Sequence, residues 1–254
     1  MIKFPKVIAL LALVALTFTS CENSIILDEP GSLDNRNIEL KIVNYWGNNY
    51  FNRDSVYNKN GANFVVDDVQ LLFSNFFVDN SGDTVVDYSS FSLTSTKRLY
   101  HKIGLITESS VSGSVGFLVG LDSIANATSP ANWSAGEVLS NGSIYSGSNI
   151  GYNFITVSGR AFNPSKPNET SPSLPFNWVV ATNSLVSIQG LKISFSVPTG
   201  KQVILDASFS IDALFDDLSP VDIPNILSDP NDADDFANAV TLSDNFNNKA
   251  FIID

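Results

Sequence analysis

Ile38, Leu40 and Ile42 alternate with polar or charged neighbours, the period of two that puts one face of a β-strand against a core. A longer apolar run follows at residues 64–78 (FVVDDVQLLFSNFFV) and predicts a strand with its continuation. Shorter strands are predicted at 84–93, 100–106 and 115–120, and clearer ones at 152–162, 177–182, 186–197 and 202–214. Val203, Leu205, Ala207, Phe209 and Ile211 make a nearly unbroken inward face. Val186 and Ile188 keep one phase, whereas Leu191, Ile193 and Phe195 keep the other. A slip of one residue turns a strand over, so Gln189-Gly190 must hold a bulge or bend.

Short strands separated by turn residues, with no alternating helical segments, predict an all-β fold. The architecture expected is an immunoglobulin-like antiparallel β-sandwich with short C-terminal helices. The first helix is predicted over 231–240, with Asp229 as N-cap and Pro230 in its first turn. Ser243 is expected to cap a second short helix ending near Phe251.

The N-terminus has a different character. Lys3 and Lys6 precede an apolar stretch from Val7 to Leu16, followed by Thr17-Phe18-Thr19-Ser20-Cys21. A basic start, a short apolar run and small residues before a cut site mark a secretory signal. The stretch is well under the roughly 20 residues a membrane-crossing helix needs. Cys21, the sole cysteine of the chain, stands where a lipoprotein signal peptidase would cut. Residues 1–20 are therefore read as a lipoprotein signal peptide and 21–37 as a lipidated tether; 38–254 is the folded domain. Lipid on Cys21 would hold the domain at a membrane, at the periplasmic or outer-membrane surface. With Cys21 modified, disulfides, thiol catalysis and thiolate metal sites are excluded.

Net charge is −12, and removing residues 1–20 takes two lysines and no acids, leaving about −14. With no basic patch, nucleic acid is not an expected partner. The catalytic inventory is thin, and the chain is read as a non-enzyme. His101 is the only histidine; it is either a copper ligand through an imidazole nitrogen or a surface histidine without a role. Asp67-Asp68 should point to opposite faces of a strand, which argues against a shared acid–base site. The acidic run 229–235 superficially resembles a calcium loop, but it lacks the turn glycine and the distal glutamate in register. Acids at a helix start complement the helix dipole instead. Sequons at Asn126, Asn132, Asn141 and Asn168 are read as surface loops. The aromatic cluster Tyr45, Trp46, Tyr50 and Phe51 supports an alternative, a cell-surface adhesin or glycan-binding lipoprotein. A carboxylate-based hydrolase ranks behind both.

Three stretches, in order, resemble the methanobactin-associated MbnP-like copper-binding family of exported proteins. FVVDDVQLLFSNFF ends in the family's Ser-Asn element, Ser74-Asn75. GFLVGLDSIAN carries Gly120, Asp122 and Asn126. YSGSNIGYNFITVSG carries Tyr145, Gly151, Tyr152 and Gly159. The resemblance implies a β-sandwich exported protein, copper as a possible cofactor and a dihaem peroxidase-like partner. This chain departs from the family where two tryptophans are usual: Ser146 and Ser148 stand there, and Ser158 replaces a glutamate. With one histidine as well, the metal site is expected to be degenerate.

Overall fold

The computed structural model describes residues 37–80, 83–87, 91–105, 111–185, 187–197 and 203–253. The leader, Cys21 and nearly all of the proposed tether lie outside them. Two β-sheets enclose one main core. The five-stranded sheet is built on β1 (Asn37–Trp46), and β2 (Asn49–Tyr50) folds back on its end. The nine-stranded sheet contains β3 (Tyr57–Lys59), the 19-residue β4 (Ala62–Asn80), β5 (Asp83–Asp87) and β6 (Ser92–Ser95). Next come β7 (Tyr100–Leu105), which returns to β1, and β8 (Val111–Val119), which joins β4. After a long excursion the chain continues through β9 (Ile155–Ala161), β10 (Leu174–Val180) and β11 (Ser187–Val197) in the larger sheet. Finally β12 (Val203–Ser210) lies parallel to β1, β13 (Asn225–Ile226) parallel to β10, and β14 (Phe251–Ile253) antiparallel to β12. The sandwich read from the sequence is present, with these two parallel pairs among its otherwise antiparallel ladders.

The alternation of β4 explains how one strand serves the whole sheet. Phe64 and Val66 face the main core in one phase, while Val69, Leu71 and Phe73 face it in the other. The ladder with β9 shifts register between Val66 and Asp68, so an extra residue sits where the phase changes. Asp67 is that extra residue, and its side chain diverges from that of Asp68. Asp67 forms a two-point ion pair with Arg160 of β9. Asp68 is buried and accepts from the Ser95 and Thr96 hydroxyls at 2.7 and 2.8 Å, with Lys97 at 3.2 Å. The bulge expected at Gln189-Gly190 is also present, as a register shift between Gln189 and Ile193.

Leu205, Ala207, Phe209 and Ile211 form the buried face opposite β4. The centre of the core is aromatic. Phe215 stacks on Phe64 at 4.6 Å and meets Trp178 at 4.9 Å. Trp178 is fully buried, and its indole N–H donates to the Ile223 carbonyl at 2.7 Å. The polar atom is thus satisfied where the ring supplies buried area.

The C-terminal helices differ from the expected pair. Among the described residues, the helix after β13 runs Ala233–Asn245, and its N-cap is Asp232, not Asp229. Asp229 instead closes a turn on the Asn231 N–H at 2.9 Å, and Asp235 accepts from the Leu227 and Asp229 N–H groups. Those local bonds keep Asp229 and Pro230 outside the helix. Ser243 is buried inside it and caps nothing; the helix passes into a wider turn, Phe246–Ala250, and then β14.

Asp216 ties three remote segments together through Lys59 at 2.7 Å and Lys249 at 2.8 Å. Burial alone would raise its pKa, but bonds from Lys249 and Lys59 outweigh that and hold it below the ordinary value. A depressed folded-state pKa gives stability that is present above the unfolded value and lost as pH falls through the folded one. Wild type should therefore lose more stability than Asp216→Asn as pH drops from about 5 to about 3 in urea titrations. Parallel curves would show that the three-way pair contributes nothing.

Candidate functional site

The excursion between β8 and β9 begins and ends at one residue of β4. Leu72 donates to the Phe154 carbonyl and accepts from the Gly120 N–H, both at 2.8 Å. At this point the edge of β4 passes from β9 to β8. Gly120 has φ +120°, and a side chain there would meet the Phe154 ring at 3.0 Å. Ser74 is buried and donates to the Gly120 carbonyl at 2.6 Å. Asn75 takes φ +51°, a conformation asparagine tolerates better than most residues, inside the register shift between Ser74 and Phe77. The Ser-Asn element is therefore the bulge that receives the start of the excursion.

The excursion then folds onto its own small core of Leu72, Leu121, Leu139, Ile144, Tyr152 and Phe154. Asp122 caps a short helix, α1 (Ser123–Ala127), accepting from the Ile124 and Ala125 N–H groups at 2.9 Å. That helix carries Asn126 inward. Its side-chain oxygen accepts from the Tyr152 N–H at 2.7 Å, and its NH2 donates to Asn183 at 3.0 Å. Asn126 is 5% exposed, so the sequon there is no surface loop; Asn132, Asn141 and Asn168 are exposed as expected. Gly151 has φ +91°, and an added Cβ would fall within the Asn126 amide. Tyr145 and Tyr152 bridge by backbone, with ring centroids 4.9 Å apart. The Tyr152 hydroxyl donates to the Leu139 carbonyl at 2.8 Å. Burial raises the pKa of this phenol, and the nearby Trp133 indole partly offsets that. The Trp133 N–H itself is buried and finds no acceptor in hydrogen-bonding geometry among the described residues.

Ser146 and Ser148 are exposed on the same turn. Ser146 donates to the Asn153 side chain at 2.6 Å. Gly159 stands apart on β9, where the Val65 carbonyl and the Phe176 ring leave no room for a side chain. His101 also stands apart. It lies on β7 opposite Leu40, is 5% exposed and borders a void of about 10 Å³ with Ile42, Val69, Leu71 and Phe209. The surface histidine read from the sequence is thus buried on the other sheet, because its strand position faces inward.

The aromatic cluster divides. Trp46 stacks on Tyr57 at 4.1 Å, and both Trp46 and Phe51 pack against the main core. Only Tyr45 and Tyr50 form an outward pair, stacked at 5.3 Å with Tyr50 76% exposed. One feature was not legible in the sequence: a groove of about 620 Å³ beside α1, with Phe91 and Trp133 edge to face at 5.4 Å. Its nearest signal was an apolar residue, Ile124, two positions after the Asp122 cap; Ile124 is 80% exposed.

The family model for MbnP matches residues 35–231. The chain belongs to the MbnP family. A solved structure, MbnP from Methylosinus trichosporium, aligns over 75% of this chain and 80% of its own length, at 11% identity and a TM-score of 0.44. No curated protein matches the chain. The stretches that resembled MbnP are those that build the excursion and its seat on β4.

Gly151→Ala should cost at least about 3 kcal/mol, combining a left-handed backbone with overpacking against Asn126. Gly142→Ala, with open space around it and ordinary backbone, should stay within about 0.5 kcal/mol. Urea midpoints of the two variants check this; equal midpoints would show that the Asn126 contact yields freely.

Proposed function

We propose that this chain is an exported, lipid-anchored binding protein of the MbnP family, without catalysis of its own and with a degenerate copper site. Residues 1–20 serve as its signal, Cys21 as its lipid attachment and 21–37 as the tether of the domain at 38–254. The periplasmic or outer-membrane surface is its location. The observation that carries the reading is the division of labour in the 145–152 turn. Tyr145, Gly151 and Tyr152 keep bonded, packed roles, while the family's tryptophan positions hold exposed serines.

The donor set fits copper poorly. Copper favours imidazole and sulfur ligands. The turn offers serine hydroxyls and a Tyr152 phenol that is committed to Leu139, with its pKa raised by burial. His101 is buried on the other sheet, where Asn44, Thr94, Ser95 and Thr96 border it beside apolar side chains and none brings a second imidazole or a sulfur. Among the described residues no three His, Cys, Asp or Glu side chains group as metal ligands. A dihaem peroxidase-like partner, implied by the family, would find no tryptophan at Ser146 or Ser148 to oxidise. Binding is then left to surfaces other than the metal position.

Two measurements on one expressed protein test this. Radiolabelled palmitate should mark wild type and not Cys21→Ser. Titration with Cu(I) and Cu(II) should show no binding at micromolar metal, a few kcal/mol weaker than a built copper site would give. Equal labelling of the two proteins would remove the anchor. Stoichiometric copper binding abolished by His101→Ala would overturn the degeneracy.

A further inference from the structure

We infer that the groove beside α1 is a binding site for a small organic ammonium ion with an apolar body. The inference stands on the groove itself and does not depend on the anchor or on the state of the copper site. At about 620 Å³ the groove lies within the usual range of small-ligand pockets. Its apolar part is the indole of Trp133, the ring of Phe91 and the exposed side chain of Ile124. Its polar part is Asp122, Glu137 and Thr128.

The chemistry of that polar part selects the ligand. Asp122 uses Oδ1 for both helix-capping bonds, and Glu137 uses Oε2 to accept from the Ser134 N–H at 3.0 Å. Among the described residues neither carboxylate has an ion-pair partner, and the second oxygen of each has no protein donor. The Thr128 hydroxyl is committed as a donor to the Ile124 carbonyl at 2.8 Å. Apart from the Trp133 indole N–H, whose nitrogen is shielded from solvent, the polar side chains at the groove offer acceptors and negative charge. An ammonium group has donors and no acceptor, so it matches the two open carboxylate oxygens. A sugar hydroxyl would bring acceptor lone pairs that these side chains do not serve. An anion would meet two carboxylates on a chain of net charge −12. Aromatic faces next to carboxylates add attraction for a cation.

The test is isothermal titration of the full chain with phenethylammonium, with the neutral, similarly shaped phenethyl alcohol, and with glucose. Phenethylammonium should bind with a Kd below about 1 mM, and the alcohol at least roughly tenfold more weakly. Glucose should give no heat. Glu137→Gln and Asp122→Asn keep oxygens for the Ser134 and helix N–H groups while removing charge, and each should weaken phenethylammonium roughly fivefold. Higher salt should weaken wild-type binding and leave the alcohol unchanged. No binding of phenethylammonium, equal binding of the alcohol, tighter binding of glucose, or indifference to both carboxylate substitutions would overturn the assignment. Unchanged thermal unfolding of the two variants separates loss of binding from loss of fold.

Discussion

The architecture at the family-defining end of this protein depends on one buried amide. Asn126 receives the Tyr152 N–H and donates to Asn183, joining a short helix, a turn and the segment after β10. A buried amide left without partners costs several kcal/mol, so the three segments must arrive together or not at all. Gly151 follows from the same constraint, since only a residue lacking a side chain leaves space for the amide. So does the placement of Tyr152, whose backbone is held by Asn126 and whose hydroxyl is held by Leu139.

This constraint gives the family stretches a structural meaning. Ser74 and Asn75 shape the bulge, Gly120 lets Phe154 approach, Asp122 starts α1, and Asn126 with Gly151 closes the excursion. All of these roles can persist while the chemistry at Ser146 and Ser148 changes, because those side chains project from a turn that is already fixed. Fold and function are separable in this way whenever scaffold residues and reactive residues occupy different faces of one loop. The groove beside α1 is framed by the same excursion, so any ligand bound there draws on the rigidity that Asn126 provides.

The sandwich was legible because its strands keep the period of two that a half-buried sheet requires. Even the bulge at Gln189-Gly190 announced itself as a change of phase. The bulge at Asp67-Asp68 did not, since two acids interrupt the apolar pattern where the phase turns over. The helix start was misplaced because Asp229, Asp232 and Asp235 are all plausible caps by residue type. Which one caps is decided by bonds to Leu227 and Asn231 that no local pattern encodes. His101 was misjudged because its position in the alternation of β7, which residue type does not reveal, turns it inward. Asn126 carried a sequon, which pointed outward, whereas its amide is needed within. The groove arises from Phe91 and Trp133, far apart in sequence and brought together by tertiary packing alone.

Hydrogen–deuterium exchange on Asn126→Ala tests the central claim most directly. The account predicts that amides between Gly120 and Phe154, Tyr152 foremost, lose protection while β1 and β12 keep theirs. Wild-type protection throughout that excursion would contradict it.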